Sequence, residues 1–225
     1  MPIGYLILSA SAILVFFGVG QRLLDRMRLN DRWALVLMVA MILGGLLPDI
    51  PLGGNFSINV GGALIPIGLC VYLFIKAGTV KEKVRSIVAS VLAAAAVVGI
   101  SYLMPSEPET MWIDPLYIYG LVGGLIAYVL GRSRRAAFIA GIMGIILADT
   151  YQGIANLVNG VAAPTRLGGG GAFDSVLISG FLAVILAELI GEIREKAQGG
   201  TAHTDQEFKD GEFVPVRNGR DNDEE

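Results

Sequence analysis

The stretch Arg132-Ser-Arg-Arg-Ala-Ala-Phe-Ile-Ala-Gly-Ile-Met-Gly-Ile-Ile-Leu-Ala-Asp149 decides the architecture. Three arginines precede an uncharged apolar run, and a carboxylate follows it. A helix rises about 1.5 Å per residue, so Asp149 stands roughly 21 Å above Arg135, near the far side of a hydrocarbon layer about 30 Å thick. The run continues to about Val158, and Asp149, Gln152 and Asn156 recur at i, i+3 and i+7, on one helical face. Ionisable groups at such a depth are rare and costly, which makes Asp149 a candidate functional residue.

Working outward, similar runs fill the chain. They cover Ile3 to about Gly20, Trp33–Leu47, Val60–Ile75, Val84–Met104, Pro115–Leu130, Ala136–Val158 and Ala172–Ile193. Of the 225 residues 54% are hydrophobic and 16% charged, too little charge to cover a soluble domain of this size. The pattern predicts an all-α polytopic membrane protein with seven transmembrane helices. Residues 1–195 form the helical domain and residues 196–225 a disordered acidic cytoplasmic tail. That tail carries four Lys/Arg and eight Asp/Glu, against thirteen and twelve in the rest of the chain.

Basic residues set the orientation. Arg22, Arg26, Arg28 and Arg32 follow the first run, Lys76, Lys81, Lys83 and Arg85 the third, and Arg132, Arg134 and Arg135 the fifth. Arg194 and Lys196 follow the seventh, whereas the alternate loops hold Arg166 alone. By the positive-inside rule the N-terminus lies outside and the C-terminus in the cytoplasm, in a cell inner (plasma) membrane. No basic residue precedes the first run, which is the reverse of a cleavable signal peptide, so it reads as a retained helix. Trp33, Tyr102, Trp112, Tyr117 and Tyr119 fall near span ends, as interfacial aromatics do.

The order of elements also fits a 3+1+3 parallel repeat. Each set is a helix, an arginine-rich turn, a helix carrying Leu-x-Asp (Asp49 or Asp149), a glycine-containing outer loop and a further helix. Parallel repeats of this kind occur in small transporters.

Polar residues gather at the outer side: Asp49, Asn55 and Asn59 around the third run, Asp149, Gln152 and Asn156 in the sixth, Asp174 and Ser175 at the mouth of the seventh. Gly61, Gly62 and Pro66 loosen the start of the third helix. The run Gly168–Gly171 supplies either flexibility or an anion-binding nest. Asp174 and Ser175 also read as a cap of the seventh helix, and Glu188 and Glu192 as partners of basic residues at its end. The single histidine, His203, lies in the tail and the single cysteine, Cys70, in an apolar run. These exclude histidine metal sites and Ser-His or Cys-His catalysis within the apolar body. No metal or cofactor is expected, and no nucleic-acid stripe is present.

Ile58-Asn-Val-Gly-Gly-Ala-Leu-Ile-Pro66 and Gly168-Gly-Gly-Gly-Ala-Phe-Asp-Ser-Val-Leu-Ile-Ser-Gly180 resemble the prokaryotic multi-pass membrane family called Domain of Unknown Function sixteen-fourteen. The resemblance covers the apolar body and implies no activity. A remoter likeness is to intramembrane aspartyl proteases, whose Tyr-Asp and Gly-x-Gly-Asp motifs are matched imperfectly by Ala148-Asp149-Thr150-Tyr151 and Gly170-Gly171-Ala172-Phe173-Asp174. Aligning Arg135 with Arg194 sets the two carboxylates about 9 Å apart in height, whereas a proton-sharing dyad needs about 3 Å.

Three functions follow as expectations. The first is a small-solute or cation permease with a site in the outer half lined by Asp149, Gln152, Asn156, Asp174, Ser175 and Asn59. The second is an aspartyl protease using Asp149 and Asp174. The third is a scaffold whose tail recruits a partner. The bilayer is the one partner the composition requires, and oligomeric state is left open.

Overall fold

The structure is a computed structural model that describes residues 3–16, 31–104, 114–131, 133–169, 171–197, 206–209 and 212–215. Arg22, Arg26, Arg28, Trp112, Arg132, Gly170 and His203 lie outside the described residues. Contacts divide the chain into two compact units, Met1–Glu188 and Leu189–Glu225.

Seven helices occur among the described residues: α1 Ile3–Phe16, α2 Asp31–Gly45, α3 Ile65–Ile75, α4 Val80–Leu103, α5 Pro115–Gly131, α6 Arg134–Val158 and α7 Gly171–Ala197. A π-helical turn, Val60–Leu64, leads into α3. Each apolar run of the sequence thus becomes one helix. By length and hydropathy three qualify as membrane crossings, at Val80–Leu103, Arg134–Val158 and Phe173–Gly191, while the other four are apolar but shorter.

Local sequence explains the boundaries. Thr79 caps α4, its Oγ1 accepting from the Glu82 N–H, and Ser133 caps α6 by accepting from Ala136 N–H. Pro115 opens α5, where Asp114 Oδ1 accepts from Leu116 N–H.

On α5 small residues face inward and large ones outward. The buried face of α5 is Gly120, Gly123, Gly124, Ala127 and Gly131, and α6 answers with Ala137, Ala140, Gly141 and Gly144. A Cβ on Gly144 would lie 2.7 Å from Ala93 Cβ of α4, and one on Gly141 would lie 2.7 Å from the Ser179 carbonyl of α7. Helices approach this closely where small residues let backbones meet. Meanwhile Val84, Val88, Val91, Leu121, Leu125, Val129 and Leu189 are exposed. An apolar exterior around a small-residue interior is the organisation of a membrane protein.

The loops after α2 and α6 add strands that helical periodicity does not foretell. β1 (Ile50–Gly53) pairs antiparallel with β2 (Phe56–Ile58), and β2 pairs parallel with β3 (Thr165–Leu167). The loop after α2 is thereby joined to the loop after α6.

At the opposite end, charged groups tie α4, α6 and α7 together. Arg134 Nε bonds Glu188, Arg135 Nε lies 3.5 Å from Glu82 Oε1, and Ser133 Oγ donates to the same oxygen at 2.8 Å. The pairing of Glu188 with a basic residue is the one its position near the end of the run led us to expect.

In the second unit, β4 (Gln206–Lys209) and β5 (Glu212–Pro215) form an antiparallel pair. An isolated two-stranded hairpin is marginal in water.

Candidate functional site

The end of the helices that carries the three-stranded sheet is built around Asn59. Its backbone N–H donates to the Leu167 carbonyl at 2.9 Å, and its carbonyl accepts from Ala63 and Leu64 at 3.1 Å each. In the side chain, Oδ1 accepts from Gly62 N–H at 2.9 Å and Nδ2 donates to Asp49 Oδ1 at 2.9 Å. Asn59 is 4% exposed, so each of these bonds is sheltered from competing water. The other Asp49 oxygen faces Arg166 Nε at 3.9 Å. Arg166 therefore has an acidic partner across the sheet.

Backbone approach accounts for the glycines here. A Cβ on Gly62 would collide with the carbonyl of Gly168, and one on Gly61 with the carbonyl of Met41. Gly168 adopts φ +64°, a conformation that disfavours side chains. Close packing at Gly62 and Gly168, rather than looseness, is the physical demand. The widened π turn is where the expected irregularity at the start of the third helix is found.

Asp174, 4% exposed, accepts at Oδ1 from Gly4 N–H at 2.9 Å. Gly4 is the second residue of α1, and its N–H is one of the donors a helix start leaves without an internal partner. The carboxylate thus caps a different helix from its own. The seat is closed by Tyr5 stacked on Phe173, ring centroids 4.7 Å apart, and by Leu8, Met41 and Leu177. Ser175 Oγ donates to the Leu116 carbonyl at 2.6 Å, and Ser179 Oγ to the Gly141 carbonyl at 2.8 Å. Through three neighbouring polar side chains α7 grips α1, α5 and α6.

Asp149 differs from these. It is half-buried on α6, and its Oδ2 is buried with no hydrogen-bond partner among the described residues. One turn onward, Gly153 lies under Phe56 and Thr165 of the sheet, a Cβ there falling 2.6 Å from Phe56 Cζ. Gln152 Nε2 donates to Asn156 Oδ1 at 3.3 Å, and Gln152 is exposed. The i, i+3, i+7 stripe therefore divides into an amide pair, with Gln152 exposed and Asn156 half-buried, and a half-buried carboxylate with one sheltered oxygen.

The heights of the two carboxylates also need correcting. Arg134 meets Glu188, so α6 and α7 register there rather than at Arg135 and Arg194. Asp149 is then about 22 Å from that level and Asp174 about 21 Å. Similar height does not make a pair. Ser179 and Gly141 mark the α6–α7 seam. At 100° per residue, Asp174 lies about 140° around its helix from Ser179, and Asp149 about 80° from Gly141. Asp149 Oδ2 makes no hydrogen bond among the described residues, and Asp174 Oδ1 accepts from Gly4 N–H.

The structure brings Asn59, Asp49 and Arg166 together, and Asp174 to α1. Sequence reasoning missed the Asp49–Arg166 contact, for which the one signal was a solitary outer-loop arginine.

No curated protein and no solved structure matches the chain. The family described as Protein of unknown function (DUF1614) matches over residues 32–186, a range holding both glycine-rich stretches, Asp149 and Asp174. With more than half of its length matched, the chain belongs to that family.

Proposed function

We propose that this membrane protein is a small-solute or cation permease whose ligand engages Asp149. The single observation that carries the reading is the buried, partnerless Oδ2 of Asp149 within an apolar helix. A buried carboxylate oxygen without a donor is costly, and a proton, a cation or the donor of a bound solute would relieve it. Gln152 and Asn156, one and two turns further out, form the polar approach to it. Asn59, Asp174 and Ser175 hold the frame in this reading, since their polar atoms are engaged by neighbouring elements. The alternation of basic loops supports an outside N-terminus and a cytoplasmic tail in a prokaryotic inner membrane.

The test is ion uptake into proteoliposomes. Full-length protein is reconstituted with a pH-sensitive or cation-sensitive dye inside, and a proton, Na⁺ or K⁺ gradient is imposed. Wild type should dissipate at least one gradient faster than empty vesicles, and Asp149→Asn should lose at least tenfold of that rate while eluting as a folded protein. Rates equal to empty vesicles for every gradient overturn the cation reading, and an Asp149→Asn variant as fast as wild type overturns the role of Asp149.

A further inference from the structure

At the basic end, a groove of about 470 Å³ lies between α4 and the end of α5, lined by Lys81, Val84, Arg85, Val88, Ala89 and Leu130. We propose that it is a binding site for an anionic glycerophospholipid, with the phosphate at Lys81 and Arg85 and an acyl chain along Val84, Val88, Ala89 and Leu130.

The α4 residues recur at i, i+3, i+4, i+7 and i+8, a continuous stripe about 12 Å long. Its charges are confined to the end where the chain emerges from the apolar layer, and its remaining positions are uncharged. Val84 and Val88 are 55% and 48% exposed, so the floor of the groove is apolar surface that none of the described elements covers. A lipid has this same division, a charged head followed by a hydrocarbon tail.

Charge complementarity identifies the head. The neighbouring basic residues are committed: Arg134 and Arg135 to Glu188 and Glu82, Lys76 over the Tyr72 ring and Lys83 over the Phe74 ring. Lys81 and Arg85 have no acidic partner among the described residues. They are like charges at i and i+4 on one helix face, which repel one another. A phosphodiester between them converts that repulsion into two attractions. Basic pockets between transmembrane helices hold anionic head groups in this manner.

Native mass spectrometry of the full-length protein in neutral detergent tests the site, with phosphatidylglycerol, phosphatidylcholine of equal chain length, and inorganic phosphate as probes. Phosphatidylglycerol should bind more tightly than phosphatidylcholine. Near an anionic surface each basic side chain contributes about fivefold in affinity, so Lys81→Gln with Arg85→Gln should lower phosphatidylglycerol binding about 25-fold. Val88→Trp, which fills the groove while keeping both charges, should also lower it. Lys76→Gln, a charge removed from the same end but outside the groove, should leave it unchanged.

Equal retention of the two lipids overturns the proposal. So does a loss that is the same for Arg85→Gln and Lys76→Gln, which is a general surface field. Displacement of the lipid by inorganic phosphate alone, or a dimer that Val88→Trp dissociates without any lipid preference, overturns it as well. Arg85→Lys should restore most of the preference in a folded background.

Discussion

Asp174 and Asp149 are both carboxylates in apolar helices, and their surroundings assign them different work. Asp174 receives the Gly4 N–H and caps the start of α1 within a ring-lined seat. Asp174→Asn retains an acceptor oxygen and loses the charge that favours a helix start, a cost of about 0.5–1 kcal/mol. Asp174→Leu leaves a buried N–H unsatisfied and should cost about 2 kcal/mol. Thermal unfolding in detergent checks the order, and equal effects would show that Gly4 is not the partner that counts. At Gly62 the backbone itself is the constraint. Gly62→Ala forces a methyl onto the Gly168 carbonyl, with rigid backbone on both sides, and should destabilise by about 3 kcal/mol or more. The measurement is the loss of a monodisperse folded species, and an unchanged melting curve would contradict the packing described.

At the scale of elements, the three-stranded sheet joins two loops more than a hundred positions apart, and its strength lies in one buried residue rather than in the visible ion pair. Asn59→Ala removes the cap on Gly62 and the donor to Asp49 together, so about 2–3 kcal/mol should be lost. Arg166 is 63% exposed at 3.9 Å from its partner, and Arg166→Ala should change stability by under about 1 kcal/mol. Melting temperatures of the two variants give the comparison, and a larger fall for Arg166→Ala would reverse the assignment. Helices were legible because an apolar run has a length and a hydropathy that one window can read. The strands were not, since β2 and β3 are three residues each and owe their pairing to a partner far along the chain. Asn59 and Asp49 were visible as polar residues at a span end. Their bond was not visible, because spacing within one segment carries no information about a second.

Across the whole molecule, the register of α6 against α7 shows what kind of signal a sequence lacks. Basic residues mark the level at which a helix leaves the membrane, and Arg135 and Arg194 give levels several residues out of step with the contact that forms, Arg134 to Glu188. Helix-to-helix register is fixed by small-residue contacts such as Gly141 against Ser179, and those are properties of two surfaces at once. Orientation is a different matter, because charge asymmetry acts on each loop separately. Three helices, α4 to α6, separate Gly78 from Asn159, so the two positions fall on opposite sides if each of the three crosses. Both are exposed, and a Cβ on Gly78 meets nothing within 4 Å. Cys70 is 2% exposed and contributes little background to thiol labelling. In intact cells a membrane-impermeant maleimide should label Asn159→Cys readily and Gly78→Cys only after permeabilisation. The reverse pattern would invert the orientation and place the polar approach to Asp149 on the cytoplasmic face. Labelling of both from outside would require that α4, α5 and α6 cross the membrane an even number of times, as they would if the shorter α5 did not cross while α4 and α6 did.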